Sequence, residues 1–147
     1  ISAGPGMLTI DGNFDKPLDE AWQPFARKGA EAEFSIANGS GLGDNTLKVE
    51  VIKPGQNPWD LGIESVEGSD LKAGDEVQIS FSARGKRIKV VLIADPDNNV
   101  SDSMEPGQSS FLQNTTFKVP SDGNYKLRFL FLEQGTYLLD NIKTEIL

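Results

Sequence analysis

Hydrophobic and polar residues alternate along short stretches of this chain with a period of two residues. In the clearest stretch, Val77, Ile79, Phe81 and Ala83 occupy every second position, and polar residues stand between them. A period of two is typical of a β-strand that buries one face. Strands of this kind belong to antiparallel sheets whose other face meets solvent. The pattern therefore predicts an all-β protein.

The alternation and the turn residues that interrupt it predict ten strands. They are Met7–Ile10, Ala21–Arg27, Ala32–Ala37, Thr46–Lys53, Trp59–Ser65, Glu76–Arg84, Arg87–Ala94, Phe111–Val119, Tyr125–Leu132 and Thr136–Ile146. The stretch from Asp95 to Ser110 is predicted to be a loop, and no segment has the period of a helix. This many strands in one unit favour a two-sheet antiparallel β-sandwich, with a jelly roll as the expected topology.

The length and the hydropathy of the chain indicate one domain. With 147 residues, the chain is long enough to bury a core of its own. Residues 1–6 are predicted to be a linker or a leftover segment, and residues 7–147 a single β-sandwich module. No stretch approaches the roughly 20 apolar residues that cross a bilayer, so membrane insertion is not expected.

The charge of the chain limits its partners. Fourteen basic and 22 acidic residues give a formal net charge of −8. A nucleic-acid partner requires clustered lysine and arginine, and an anionic membrane surface also attracts basic segments. The balance therefore favours a neutral ligand, such as an uncharged polysaccharide.

The absence of cysteine and histidine narrows the chemistry further. Ser-His-Asp and Cys-His nucleophile systems are excluded, and so are zinc sites built on histidine or cysteine. Oxygen-ligated metals such as calcium and chemistry based on carboxylates are what remain. No acidic residue stands in a recognisable catalytic context, so the chain is not expected to be an enzyme.

Three segments go beyond a generic sandwich. They are the opening Ile10–Asp15, the run Asn57–Leu61 with Leu71–Arg84, and the terminal Gly135–Ile142. In this order they resemble the carbohydrate-binding modules of families four, nine, sixteen and twenty-two, with family sixteen the most similar. The resemblance implies a jelly roll that binds glycan along a cleft or a concave sheet face. It also implies a secreted protein whose polypeptide includes a glycoside hydrolase catalytic domain.

The resemblance implies a ligand class as well. Family sixteen suggests a β-1,4-linked polysaccharide, such as a cellulose-type glucan, glucomannan or mannan. Relatives that bind xylan carry an acidic residue three positions after the cleft tryptophan, whereas this chain has Gly62 there. They also use a cleft histidine, which this chain lacks. Both departures argue against a xylan ligand.

Two tryptophans are the main candidates for stacking on a sugar, because tryptophan has the largest flat π-face. The resemblance matches Trp59 to a ligand-stacking tryptophan. Its alternation with Leu61 and Ile63 is equally what a core residue would show. For Trp22, a core or edge-covering position competes with stacking. The sequence leaves these alternatives open.

Polar side chains on several strands are candidates for bonding sugar hydroxyls. Gln23 shares a face with Phe25 and Arg27 and is one candidate, the resemblance points to Arg128, and Gln113 is a further candidate. Gln78 and Arg84 belong to a polar stripe that binds sugar if its face is concave and is only solvated if its face is convex. Around Arg128 the outer face is apolar and needs a loop or a sugar to cover it.

The resemblance also implies a structural calcium ion near the termini. By the matched positions, Asp15 and Asp140 supply carboxylates, and Asn13, Gly43 and Thr46 supply backbone oxygens. Calcium prefers such mixed oxygen ligands. The alternative is that these are ordinary turn residues. For the whole chain, the competing hypothesis is a structural or adhesin-like sandwich that binds no glycan.

Overall fold

The computed structural model describes residue 14 and residues 18–38, 45–57, 59–66, 68–95, 97–104 and 107–147. The side chains of residues 18, 19, 38 and 107–113 are outside this description. The predicted strand Met7–Ile10 and the predicted calcium ligands Asn13, Asp15 and Gly43 therefore lie outside the described residues.

Eleven strands and one helical turn make up the described chain. In order they are α1 Leu18–Ala21, β1 Trp22–Ala26, β2 Glu31–Asn38, β3 Asn45–Lys53, β4 Leu61–Ser65, β5 Ser69–Leu71, β6 Glu76–Gly85, β7 Ile88–Asp95, β8 Asn98–Met104, β9 Gly107–Lys118, β10 Gly123–Phe131 and β11 Gly135–Ile146. None of the described residues forms a helix with the length and hydropathy needed to cross a bilayer.

The strands form two antiparallel sheets that pack as a sandwich with jelly-roll topology, so the predicted fold class is confirmed. The first sheet has the order β1-β4-β10-β7-β8, and β5 pairs with β10 at its end. The second sheet has the order β2-β3-β11-β6-β9. Consecutive strands such as β6 and β7 belong to different sheets, and this crossing distributes neighbouring sequence segments over opposite faces of the molecule.

The core lies between the sheets and consists of the inward residues of the alternating strands. On β6, Val77, Ile79 and Phe81 are fully buried, as the pattern predicts. Phe81 meets Phe129 of the first sheet edge-on, with 5.1 Å between ring centroids. Aromatic rings at such distances attract each other beyond the area that they bury.

The structure departs from the predicted elements between Asp95 and Ser110, where the predicted loop is wrong. This stretch contains β8 and the beginning of β9. The turn into β8 is held by the Asp95 carboxylate, which accepts hydrogen bonds from the backbone N–H groups of Asp97 and Asn98 at 2.8 and 3.0 Å. Because β8 is an edge strand with mostly exposed polar side chains, it carries no hydrophobic alternation to reveal it.

Candidate functional site

A cleft of about 990 Å³ opens on the outer face of the first sheet. Its walls and floor are formed by Arg27, Trp59, Glu64, Lys89, Val91, Ile93, Ala94, Asp95, Asn99, Ser101, Asn124, Lys126, Arg128 and Leu130. A smaller depression of about 400 Å³ lies beside the 54–57 loop and Arg87. No tryptophan or tyrosine is among the described residues of this smaller depression.

The sheet register builds the floor of the cleft. Glu64 on β4 pairs with Arg128 on β10, which pairs in turn with Val91 on β7. The next outward position on β10 is Leu130. Leu130 is only 2% exposed and Val91 only 6%, although neither belongs to the core between the sheets. The floor is therefore apolar, which agrees with the unusual outer face that the sequence predicts around Arg128.

Trp59 lies at the cleft with 53% of its surface exposed. Strand β4 begins at Leu61, so Trp59 lies in the turn before the strand. The alternation of inward and outward side chains along β4 therefore does not extend to Trp59. The turn is fixed by Asp60, whose carboxylate accepts a hydrogen bond from the Asn57 N–H at 2.8 Å. The Asp60 carbonyl also accepts the N–H of Arg27 at 2.8 Å. Of the two positions that the sequence left open for Trp59, the structure excludes the core.

Arg27 and Arg128 both make cation–π contacts with Phe25, beside the floor of the cleft. The Arg27 guanidinium carbon lies 4.6 Å from the centre of the Phe25 ring, and that of Arg128 lies 5.4 Å from it. Arg128 also donates to Glu64, with Nη2 2.6 Å from Oε1. Cation–π contacts and an ion pair together restrict the Arg128 side chain to one orientation.

Gly62 on β4 lies in close contact with the backbone of β10. A Cβ atom at this position would lie 2.1 Å from the Phe129 carbonyl oxygen and 3.0 Å from Leu130 Cδ2. Such a close approach leaves room for glycine alone. A larger side chain, including an acidic one, therefore has no space at this position.

The structure separates the predicted sugar-binding residues into three groups. Trp59 and Arg128 line the cleft, and Gln23 is exposed on β1 opposite Glu64, at the border of the same face. Trp22 is fully buried and packs between Phe14 and Phe129, with ring centroids 6.0 and 6.1 Å away. The stacking role predicted for Trp22 is wrong, because a core side chain offers no face to a ligand.

The remaining candidates lie in the second sheet. Gln78 and Arg84 are on β6, and Gln113 is on β9, where its backbone pairs with Phe81. The chain crosses between the sheets after β6, so the polar stripe of β6 faces away from the cleft. The backbone positions of Gln78, Arg84 and Gln113 thus separate them from Trp59, and a role of these residues in sugar binding stays a prediction.

Several cleft residues were missed by the sequence analysis. Glu64, Lys89 and Lys126 alternate with core residues and look like an ordinary solvated face. Only the pairing of β1 with β4, β4 with β10 and β10 with β7 assembles them. A single strand could not have revealed that its outward residues meet an exposed tryptophan.

Two of the predicted calcium ligands, Thr46 and Asp140, are described, and the calcium site itself stays a prediction. Leu47 pairs with Leu139 between β3 and β11, so Thr46 and Asp140 are the next residues along these two strands. Both are buried, at 0% and 2% exposure. A buried carboxylate near backbone oxygens suits a hard cation. Within the described ranges no three acidic residues form a metal site on their own, so the proposed site also depends on the 13–15 and 43 segments.

Comparison with known proteins gives a result only at the level of structure. No protein-family model matches the sequence, and no curated protein matches it. A solved structure described as "CBM4 structure and function" superposes with a TM-score of 0.72 at 18% identity, covering 92% of this chain and 97% of that one. The chain has the fold of carbohydrate-binding modules.

Other solved modules agree with this result. A family 11 carbohydrate-binding module of a Clostridium thermocellum cellulosomal cellulase gives a TM-score of 0.66 at 17% identity, covering 93% of each chain. The CBM22-1–GH10 part of a Clostridium thermocellum xylanase, complexed with xylohexaose, gives 0.65 at 13% identity and covers 93% of this chain and 28% of that one. The predicted resemblance to carbohydrate-binding modules is confirmed in the fold, while the preference for family sixteen stays a prediction.

Proposed function

We propose that this chain is a non-catalytic carbohydrate-binding module whose cleft holds a segment of a β-1,4-linked polysaccharide. The observation that carries the proposal is the half-exposed indole of Trp59, which lines the same cleft as the partly exposed apolar side chain of Ile93. A pyranose ring presents apolar C–H faces and an equatorial belt of hydroxyls. An aromatic face in an apolar part of the cleft matches the C–H faces of the sugar, and the polar rim of the cleft matches its hydroxyls.

The rim supplies hydrogen-bonding groups at several points. Asn99 and Ser101 on β8 and Asn124 on β10 line the cleft together with Arg128. Amide and guanidinium groups can bond two neighbouring hydroxyls at once. Each such hydrogen bond replaces a hydrogen bond to water, so it contributes only about 1 kcal/mol net to the binding free energy. We therefore expect modest affinity that is spread over several sugar residues.

The acidic side chains of the cleft support binding over catalysis. Among the described residues these are Glu64 and Asp95. Glycoside hydrolysis needs one carboxyl group with a raised pKa that can donate a proton. The Asp95 pKa is instead lowered, chiefly by the hydrogen bond from the Asp97 backbone N–H. Glu64 is engaged by Arg128 at 2.6 Å.

The biological setting follows from the same proposal. As a binding module, the chain targets a glycoside hydrolase catalytic domain of the same polypeptide to its substrate, outside the cell. Tethering raises the local substrate concentration without any new contact in the active site. We also propose a structural calcium ion held by Asp140, Thr46, Asn13, Asp15 and Gly43, which would join the terminal segments to the second sheet.

Calorimetric titration tests the proposal. Cellohexaose, mannohexaose, xylohexaose and laminarihexaose are titrated into the wild type and Trp59→Ala. We expect binding of a β-1,4-linked glucan or mannan hexasaccharide and a loss of at least about tenfold in affinity in the variant. Ile52→Ala is the matched control, because Ile52 is 51% exposed but lies on β3 of the second sheet.

The outcomes separate the competing functions. Binding that is lost in Trp59→Ala and kept in Ile52→Ala supports the cleft as the site. Binding that Trp59→Ala leaves unchanged keeps the function and places the site elsewhere. No binding of any hexasaccharide favours the structural or adhesin-like alternative.

A further inference from the structure

The cleft has the opposite charge balance to the rest of the chain. Four basic side chains line it, Arg27, Lys89, Lys126 and Arg128, against the two carboxylates Glu64 and Asp95. The whole chain, in contrast, has 14 basic and 22 acidic residues and a formal net charge of −8. Cations are therefore concentrated at this cleft of an acidic protein, and a neutral ligand would use them only as hydrogen-bond donors.

The carboxylates of the cleft are already engaged. Glu64 accepts a hydrogen bond from Arg128 at 2.6 Å, so these two charges compensate each other. Asp95 accepts bonds from the backbone N–H groups of Asp97 and Asn98 and from Asn98 Nδ2 at 3.1 Å. Asp95 is thus committed to the turn between β7 and β8. Four cationic side chains therefore face two carboxylates, and the cleft keeps a net positive charge.

The two lysines flank the floor diagonally. Lys126 on β10 pairs with Ile93, and Lys89 on β7 pairs with Leu130. They are therefore four residues apart along neighbouring strands, or about 13 Å at the usual rise of a strand. Within the described part of the chain, no carboxylate forms an ion pair with either lysine. Each ammonium group can reach a ligand that lies along the floor.

On the basis of the proposed function, we propose that the cleft prefers an acidic glycan, a β-1,4-linked chain in which some residues are uronates. Trp59 contacts the sugar rings, while Lys89 and Lys126 pair with uronate carboxylates at two points along the chain. The partly enclosed cleft screens these pairs less than open solvent does. The cations also attract a polyanion during its approach, against the repulsion of the acidic surface elsewhere.

Pairs of ligands that share a backbone but differ in charge test this proposal. Calorimetry compares cellohexaose with the hexasaccharide of β-1,4-linked glucuronate, and mannohexaose with that of β-1,4-linked mannuronate. A sulfated cellohexaose is the third arm. We expect at least one uronate hexasaccharide to bind about three- to tenfold more tightly than its neutral counterpart at low salt, and this advantage to shrink at high salt.

Single-charge variants locate the effect. Lys126→Gln and Lys89→Gln should each lower the ratio of uronate affinity to neutral affinity by about two- to fivefold. Lys143→Gln is the matched control, because Lys143 is an exposed lysine on β11 of the second sheet. Thermal unfolding of each variant shows that it is folded.

Three results would overturn the proposal. Equal affinity for neutral and uronate hexasaccharides removes the preference and leaves the glycan-binding function intact. Equal affinity for the sulfated and uronate ligands means that the cleft selects charge alone and not uronates. No binding of any ligand removes the proposed function together with this inference.

Discussion

The guanidinium group of Arg128 and the carboxylate of Glu64 meet across neighbouring strands, with Nη2 2.6 Å from Oε1. Both side chains are largely shielded, at 17% and 20% exposure. The pair joins β10 to β4 at the floor of the cleft. Because its charges are partly desolvated, removing one of them is more costly than breaking an exposed pair.

We therefore expect Glu64→Ala to lower the free energy of unfolding by about 1–3 kcal/mol. The physical reason is that the Arg128 charge stays partly buried without its carboxylate. Urea unfolding measures the change, and a double-mutant cycle with Arg128→Ala isolates the coupling. The control is Glu50→Ala, which breaks the exposed pair with Lys48 at 3.3 Å and should cost under about 0.5 kcal/mol. Equal costs for the two variants would contradict this account.

The two tryptophans should behave as separate populations in fluorescence. Trp59 is 53% exposed and Trp22 is fully buried. In Trp22→Phe, the remaining emission should be red-shifted, quenched by iodide, and altered by a bound hexasaccharide. In Trp59→Phe, it should be blue-shifted, resistant to iodide and insensitive to the ligand. An unquenched Trp59 would argue that another segment covers the cleft.

Calcium should stabilise the fold if the proposed ion is present. A ligand at about 100 times its dissociation constant adds about 2.7 kcal/mol of stability. For a chain of this size, that corresponds to a rise in Tm of roughly 5–10 °C over the protein in EDTA. Asp140→Asn should abolish the difference, because it removes a carboxylate from the proposed site.

Asp60→Asn is the matched control for the calcium experiment. Asp60 is as buried as Asp140, at 1% against 2% exposure, but its carboxylate accepts the Asn57 N–H within the turn beside Trp59. This variant should keep the response to calcium even if its baseline stability falls. An identical Tm in calcium and EDTA for the wild type would remove the ion from the proposal.

Stability should fall in alkali because of Tyr137. Burial raises the pKa of its hydroxyl above the ordinary value, and the nearby Glu133 carboxylate adds to the rise. The hydroxyl donates to the Arg87 carbonyl at 2.8 Å and accepts the Glu133 N–H at 3.1 Å. In the unfolded chain the tyrosine pKa is about 10, so as the pH rises the unfolded chain loses this proton before the folded protein does. The stabilisation from Tyr137 is therefore fully present below about pH 10 and is lost as the pH rises through the higher pKa of the folded protein.

Urea unfolding at pH 8 to 11 tests this prediction. Tyr137→Phe should be less stable than the wild type at pH 8, because two hydrogen bonds are lost, but its stability should decline less steeply in alkali. Tyr125→Phe is the control, since it removes another hydroxyl that donates to a backbone carbonyl, that of Ser121 at 2.7 Å. If both variants make the alkaline loss of unfolding free energy equally less steep, Tyr137 is not the specific cause of that loss.

The sequence predicted those parts of the fold that local alternation determines. The inward residues of β6 lie where their period places them, and the sandwich follows from many strands of this kind. The prediction from sequence failed at β8, because this polar edge strand buries few side chains and therefore shows no hydrophobic alternation. It also could not choose between core and surface for Trp59, because the position before a strand is not bound by the alternation of that strand.

By itself, the sequence determined the all-β class, the inward residues of regular strands such as β6 and the exclusion of histidine and cysteine chemistry, because each depends on residue type and local spacing alone. Only the tertiary structure decided which outward residues share a surface. Strand order placed Arg128 beside Glu64 and put Gln78 and Arg84 on the opposite sheet. It also buried Trp22 and exposed Trp59. The physical reason is that a binding surface in a sandwich is built across strands that are distant in the chain, and their pairing is fixed by the fold as a whole.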